Sequence, residues 1–273
     1  MANVAIQKKE FDLLVSYIYD SCGIHLDDTK VQLVESRLSD LLHKYELVNY
    51  MELYEQIKVN DQIATDLVDE ISTNETSFFR DSKIFESLIK HLFETQLDRT
   101  GELQIWSAAC SFGQEPYTLA MILKELIFDL SKYKIQITAT DISTQALHYA
   151  SLGIYSTFEV NRGLTERRIL RHFEKEPSGQ YKIKDELRSL VYFKNHNLLK
   201  PAILAHRFEI VLCRNVAIYF DKKTKQQIFK HIADLMVPGG VLIVGSSEIL
   251  IGINDRFERK EWNDLNYYQL KDY

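Results

Sequence analysis

The sequence predicts an α/β protein: an all-α N-terminal unit, then a mostly parallel sheet with an antiparallel edge hairpin and a small inserted β-subdomain. Three observations carry this expectation. Apolar residues recur at helical spacing through the first seventy or so positions, which hold a single glycine and no proline. Beyond Leu103, short apolar runs alternate with amphipathic stretches, as crossover units joining parallel strands do. The stretch from about 153 to 193 breaks that rhythm, with a short helix, a Pro177-Ser178-Gly179 turn and brief alternating segments.

In chain order, Phe11, Leu14, Val15 and Ile18 form one helical stripe. Val31, Val34, Leu38, Leu41, Leu42 and Tyr45 form a second, with Asp27 and Asp28 placed to cap it. Met51, Tyr54 and Ile57, then Ile63, Leu67, Val68 and Ile71, mark two shorter helices. These elements define an N-terminal helical domain over 1–72, followed by a linker and connecting helix over 73–99. The remainder, 100–273, reads as the sheet domain. In it LQIWSAAC, IQITATD and RFEIVLC each precede a helix, GGVLIVGSS follows, and RFERKEWNDLNYYQL closes the chain as two strands.

Composition narrows the function. Of 273 residues, 45% are hydrophobic, enough for a sizeable core, and the net charge of −6 argues against a nucleic-acid partner. The three cysteines, Cys22, Cys110 and Cys213, show no pairing or metal-ligand spacing, so buried free thiols and no metal site are expected. The start, MANVAIQKKEF, carries charges where a signal peptide needs an apolar stretch, and no apolar run reaches membrane-spanning length. A cytoplasmic protein without membrane insertion is expected.

Chemistry concentrates where strands end, because ligands of open parallel sheets bind at the carboxyl ends of strands. LQIWSAAC runs into SFGQEP, where Gly113 permits a tight turn and Pro116 suits the first position of the next helix. One glycine here, rather than GxGxxG, fits a cofactor without a pyrophosphate. Glu115 could pair with a ligand ammonium, and Asp141, ending IQITATD, could accept from ribose hydroxyls. Each also has a structural reading, Glu115 as a first-turn helix charge and Asp141 as an N-cap. A nicotinamide enzyme stays open on these residues alone.

The full motif set is more specific. ISTNETSFFRD (71–81), IWSAACSFGQEPYTLAM (105–121), ATDIS (139–143), KNHNLL (194–199), CRNVAIYF (213–220) and PGGVLIVGSSE (238–248) resemble the CheR-type chemotaxis protein-glutamate methyltransferases, in that family's order. The resemblance implies a class I, Rossmann-like methyltransferase sheet and the cofactor S-adenosyl-L-methionine, leaving as S-adenosyl-L-homocysteine. It further implies methyl transfer to glutamate carboxylates of chemoreceptor cytoplasmic helices. Asn74, Thr76 and Arg80 would line the cofactor, Glu115 would hold its amino group and Asp141 its ribose. Asn197 with Leu198 would frame the adenine, Arg214 with Asn215 would close the pocket floor, and Tyr219 would point toward the transferring methyl.

Arg80 and Tyr219 are the candidate catalytic residues: a guanidinium fork can orient a carboxylate, which is already ionised at neutral pH and needs no base. Two positions depart from the family pattern. Phe112, beside Gly113, is expected to narrow the pocket entry, and Ala217 replaces a larger residue. Lys30, Arg37 and Lys44, seven apart, line one side of a helix and form a candidate receptor-docking stripe, interrupted by Glu35 and Asp40. A solvated face is the competing reading. The compact turn EKEPSGQ leads us to expect no tether to a receptor's C-terminal pentapeptide, and a monomer is the expected state. Rival readings are a non-catalytic cofactor-sensing module and an N-methyltransferase, which would commonly carry an NPPY-like tetrapeptide where this chain has RNVAIYF.

Overall fold

A computed structural model describes residues 5–201 and 206–272, so the first four residues of the charged N-terminal stretch lie outside it. Four helices open the chain: α1 (Lys8–Cys22), α2 (Val31–Lys44), α3 (Tyr50–Ile57) and α4 (Asp61–Ile71). Their predicted stripes meet in one core built around Phe11, Leu14, Ile18, Leu38, Leu53 and Leu67. Asn49 and Asn60 cap α3 and α4 by accepting backbone N–H groups. Asp27 caps a single 3-10 turn over Asp28–Lys30 that leads into α2, one step earlier than the sequence suggested.

An irregular segment, 73–81, leads through a π-helical turn (Ile84–Ile89) into α5 (Lys90–Thr100). The sheet then begins with β1 (Glu102–Ala108), followed by α6 (Gln114–Leu126), β2 (Lys134–Asp141) and α7 (Thr144–Leu152). The helix after β1 starts two residues before Pro116. Proline is tolerated there because N–H groups of the first turn have no intrahelical acceptor to lose. Gly113 is the N-cap, at φ +90. A Cβ on Gly113 would lie 2.8 Å from that of Ala150 and 3.0 Å from the Tyr155 hydroxyl, so only glycine lets this turn sit so close to α7.

The irregular stretch folds as β3 (Ile154–Tyr155), α8 (Thr157–Asn161), α9 (Glu166–His172), β4 (Phe173–Lys175), β5 (Tyr181–Ile183) and α10 (Asp185–Arg188). The chain rejoins the main sheet with β6 (Val191–Asn195) and β7 (Phe208–Cys213). It finishes with α11 (Lys222–Asp234), β8 (Met236–Val244), β9 (Phe257–Trp262) and β10 (Leu265–Leu270). Among the described residues the main sheet has seven strands, ordered β6-β2-β1-β7-β8-β10-β9, and a separate sheet holds β3-β5-β4. β6, β2, β1, β7 and β8 are parallel, while β10 pairs antiparallel with β8 and β9. This is the class I methyltransferase sheet with its closing hairpin. The order reverses at β1, so the carboxyl ends of β1, β2 and β7 open a crevice between divergent crossovers.

Candidate cofactor and acceptor site

That crevice is a cavity enclosing about 970 Å³ of empty space, part of it open to solvent. Its walls come from the 72–80 segment, Phe85 in the π-helical turn, the ends of β1 and β2, the segments after β6 and β7, and Cys22 with Ile24 at the end of α1. The predicted Asn74, Thr76, Arg80, Glu115 and Asp141 all line it. So do Asn197, Leu198, Arg214, Asn215 and Tyr219. The chain around it is held in unusual conformations. Ala109, Ser111 and Asn215, all in the lining, take positive φ of 62, 51 and 58, and Phe79 and Asp81 take 51 and 62. Backbone strain of this kind persists only where surrounding contacts over-determine it, and it collects at ligand sites.

Asp141 is buried at the end of β2. Its Oδ2 accepts the Ser111 N–H at 2.7 Å and its Oδ1 the Ser143 N–H at 2.9 Å. Burial pushes its carboxyl up from the ordinary value, against the pull of the Ser143, Ser111 and Ile142 N–H groups. The helix cap is Ser143, whose hydroxyl accepts the Ala146 N–H, so the N-cap reading of Asp141 is set aside.

Glu115 is not a solitary carboxylate. It accepts the Ser107 hydroxyl at 2.8 Å and the Arg214 guanidinium at 2.9 Å. Arg214 is buried, and its other arm donates to Asp81 at 2.6 Å and to the Arg80 carbonyl at 2.9 Å. Two carboxylates and a carbonyl hold its Nη groups, while its buried Nε finds no partner among the described residues and remains a donor for a ligand. By contrast, Arg80 forms no ion pair among the described residues; its Nη1 donates to the Glu75 carbonyl at 2.7 Å. Tyr219 stands on a 3-10 turn (Ala217–Tyr219), half-buried, with its carbonyl accepting the His25 N–H at 2.9 Å.

Several expectations change. The Asn197 side chain is engaged at both ends, donating to the Ser21 carbonyl at 2.7 Å and accepting the Leu199 N–H at 3.0 Å. Phe112 packs edge-on against Tyr149 at 5.3 Å and lines an adjoining pocket that shares Asn74, Glu75, Thr76 and Ser77 with the cavity. Ala217 is buried against the core beneath β7. In the charged stripe, Arg37 donates to the carbonyls of Glu70 (3.0 Å) and Ser72 (2.8 Å), closing the end of α4. Lys44 pairs with Asp66, and both it and Lys30 are exposed.

The three cysteines are free and buried; burial pushes the Cys22 thiol up to about 11 and holds Cys110 and Cys213 well above the ordinary thiol value, which disfavours the thiolate at neutral pH. Sequence reasoning missed Ser107, Asp81, the α1 end and Glu248, whose carboxylate stands behind the lining and accepts the Asn215 N–H at 2.8 Å. Glu248 sat at a strand end inside a quoted motif, a signal that could have marked it, whereas the α1 contribution left no local trace.

The donor set suits S-adenosylmethionine. An adjacent carboxylate and guanidinium match the ammonium and carboxylate of its methionine end, and Asp141 offers acceptors for a diol. The 74–264 stretch matches the family model "CheR methyltransferase, SAM binding domain", and 9–72 matches "CheR methyltransferase, all-alpha domain". The chain is similar to a "Chemotaxis protein methyltransferase 1" of Vibrio cholerae, 37% identical across 99% of this chain and 100% of that protein. It is also similar to a protein of the same description from Pseudomonas aeruginosa, 36% identical across 96% of this chain and 98% of the relative. A "Chemotaxis protein methyltransferase" of Borreliella burgdorferi is 35% identical across 92% and 91%. With both units matched and the catalytic sheet carrying the expected cavity, this chain belongs to the CheR family and is an S-adenosylmethionine-dependent methyltransferase.

Proposed function

We propose that this enzyme esterifies glutamate side chains on the cytoplasmic helices of chemoreceptors, working as a monomer without a C-terminal receptor tether. The observation that carries the reading is Arg80: a guanidinium in the cavity lining that forms no ion pair among the described residues and is held by one hydrogen bond, to the Glu75 carbonyl. Bound S-adenosylmethionine supplies an electrophilic methyl. In this reading Glu115 and Arg214 hold the methionine end, Asp141 holds the ribose, and Asn197 with Leu198 frames the adenine. Asn74 and Thr76 bring the 72–80 segment over the cofactor, and Asn215 closes the floor.

Arg80 orients the incoming carboxylate, which arrives ionised, and Tyr219 hydrogen-bonds beside it. No proton moves: the carboxylate oxygen forms a bond to carbon as the sulfur–carbon bond breaks, and opposite charges cancel. Positioning and exclusion of water do most of the work. Of the stripe, Lys30 and Lys44 are exposed for receptor docking, Lys44 while paired with Asp66, whereas Arg37 is turned to the carbonyls at the end of α4.

Labelled S-adenosylmethionine with a receptor cytoplasmic fragment tests the reading, because alkali releases methyl from an ester and not from an amine. Base-stable label would point to nitrogen transfer. Arg80→Ala should lower kcat roughly a hundredfold or more while the melting temperature stays near wild type. Near-normal turnover would remove Arg80 from the chemistry.

A further inference from the structure

The turn that carries Tyr219 continues into a surface that cofactor binding does not use. Ile218 is 52% exposed, and across from it Ile249 and Ile251, in the loop after β8, are 66% and 69% exposed. Glu248 bolts the two segments together: its carboxylate accepts the N–H of Gly245 at 2.6 Å, of Asn215 at 2.8 Å and of Ile218 at 3.3 Å. Contact there is close enough that a Cβ on Gly245 would lie 2.7 Å from that carboxylate and 3.0 Å from the Asn215 nitrogen. Through this bridge the Cα atoms of Ile218 and Ile249 are at most roughly 13 Å apart, about two turns of helix. Just past Tyr219, Lys222 and Lys223 are exposed and form no ion pair among the described residues.

We propose that Ile218, Ile249 and Ile251, with Lys222 and Lys223 four and five residues along the chain from Ile218, form the shelf that seats the acceptor helix. Its occupant is an acidic amphipathic helix carrying the target glutamate, with apolar residues three, four and seven positions away. This rests on the reading above, that the acceptor is a glutamate on a helix. A glutamate side chain reaches only one helical turn's distance from its own backbone, so the helix must lie on whatever borders the methyl-transfer point. On the Tyr219 side that border carries exposed isoleucines on two segments joined through Glu248. Apolar neighbours of the glutamate cover the isoleucines, and its acidic flank meets the lysines. Specificity then comes from the residues around the glutamate, and the chemistry from the cavity.

The test compares wild type with Ile218→Thr/Ile249→Thr/Ile251→Thr, and separately with Lys222→Glu/Lys223→Glu, on one receptor cytoplasmic fragment. The isoleucine variant should raise KM for the fragment roughly tenfold or more, with kcat and S-adenosylhomocysteine affinity by calorimetry unchanged. The lysine variant should raise KM at low salt and lose that effect as salt increases. Ile249→Thr alone, read the same way, serves if the triple variant melts early. An active wild type with unchanged KM in these variants overturns the shelf and leaves the parent reading intact. A wild type that transfers no base-labile methyl to any receptor fragment overturns the parent reading instead. Loss of self-association in the isoleucine variant, with KM unchanged, would reassign the surface to a second copy of the chain and also overturn the proposal.

Discussion

At the scale of single residues, the site works because each charged group has a defined partner or a defined vacancy for one. Asp141 presents two oxygens that already accept N–H groups from two different turns, so its carboxylate is aimed before any ligand arrives. Asparagine at that position has one acceptor oxygen, and its amide would face a backbone donor. Asp141→Asn should therefore cost about 1–3 kcal/mol of stability and weaken S-adenosylhomocysteine binding roughly tenfold or more, read by thermal melting and calorimetry. Undiminished affinity would separate Asp141 from the cofactor. Arg214 and Arg80 show why residue type alone did not assign roles. The two are spaced far apart in sequence yet adjacent in space, and only the fold shows that one is locked between carboxylates while the other is open.

At the scale of elements, the inserted sheet clasps the segment that walls the cavity. Phe78 packs edge-on against Tyr155 and Phe173 at 5.0 and 5.6 Å, and the Arg168 guanidinium lies over the Phe79 ring at 3.9 Å. Gly163, at φ +111, passes so near that a Cβ would lie 2.0 Å from the Phe78 carbonyl oxygen. Gly163→Ala should cost about 2 kcal/mol or more and reduce cofactor affinity, because the clash falls on the cavity wall. A variant with lower melting temperature but intact affinity would show that the clasp and the cavity are independent.

Arg168 also fastens α9 to α6 through Glu125, both oxygens at 2.8 Å, with buried His172 as a further partner. Burial would raise the Glu125 carboxyl, but the Arg168 fork and His172 outweigh it and hold the group well below the usual carboxylate range. A depressed folded pKa stabilises above the unfolded value near ~4.3 and is lost as pH falls through the folded one. Glu125→Gln should thus destabilise by about 2 kcal/mol at pH 7, with the gap to wild type closing as pH drops below ~4. A gap that stayed constant with pH in denaturant melts would exclude the ion pair as its source. The helix and strand patterns behind these elements were legible locally, whereas the insert was visible only as a break in rhythm. Its strands are two or three residues long, too short for a period to register.

At the scale of the whole molecule, the helical unit contributes to the wall of the cavity. Gly23, the one glycine of the helical region, ends α1 at φ +76, where a Cβ would come within 2.9 Å of Leu199 and 3.0 Å of Thr224. Asn197 reaches the Ser21 carbonyl, and Cys22 and Ile24 line the cavity. Ligand binding should therefore stabilise both units together. Hydrogen exchange with S-adenosylhomocysteine should show added protection over residues 21–26 as well as at the ends of β1 and β2. Protection confined to the sheet would mean that the helical unit does not sense the cofactor.

The sequence by itself determined the helical unit, the parallel sheet with its edge hairpin, and Glu115 and Asp141 at the strand ends, because periodicity and strand-end chemistry are local properties; the rest of the lining was implied by the family resemblance of its motifs. Tertiary structure alone decided which polar groups remain available: Arg37, Lys44 and the Asn197 side chain look free in the sequence and are engaged in the fold. A hydrogen bond is satisfied by whatever lies within 3 Å, and chain neighbours do not record which distant segment that will be.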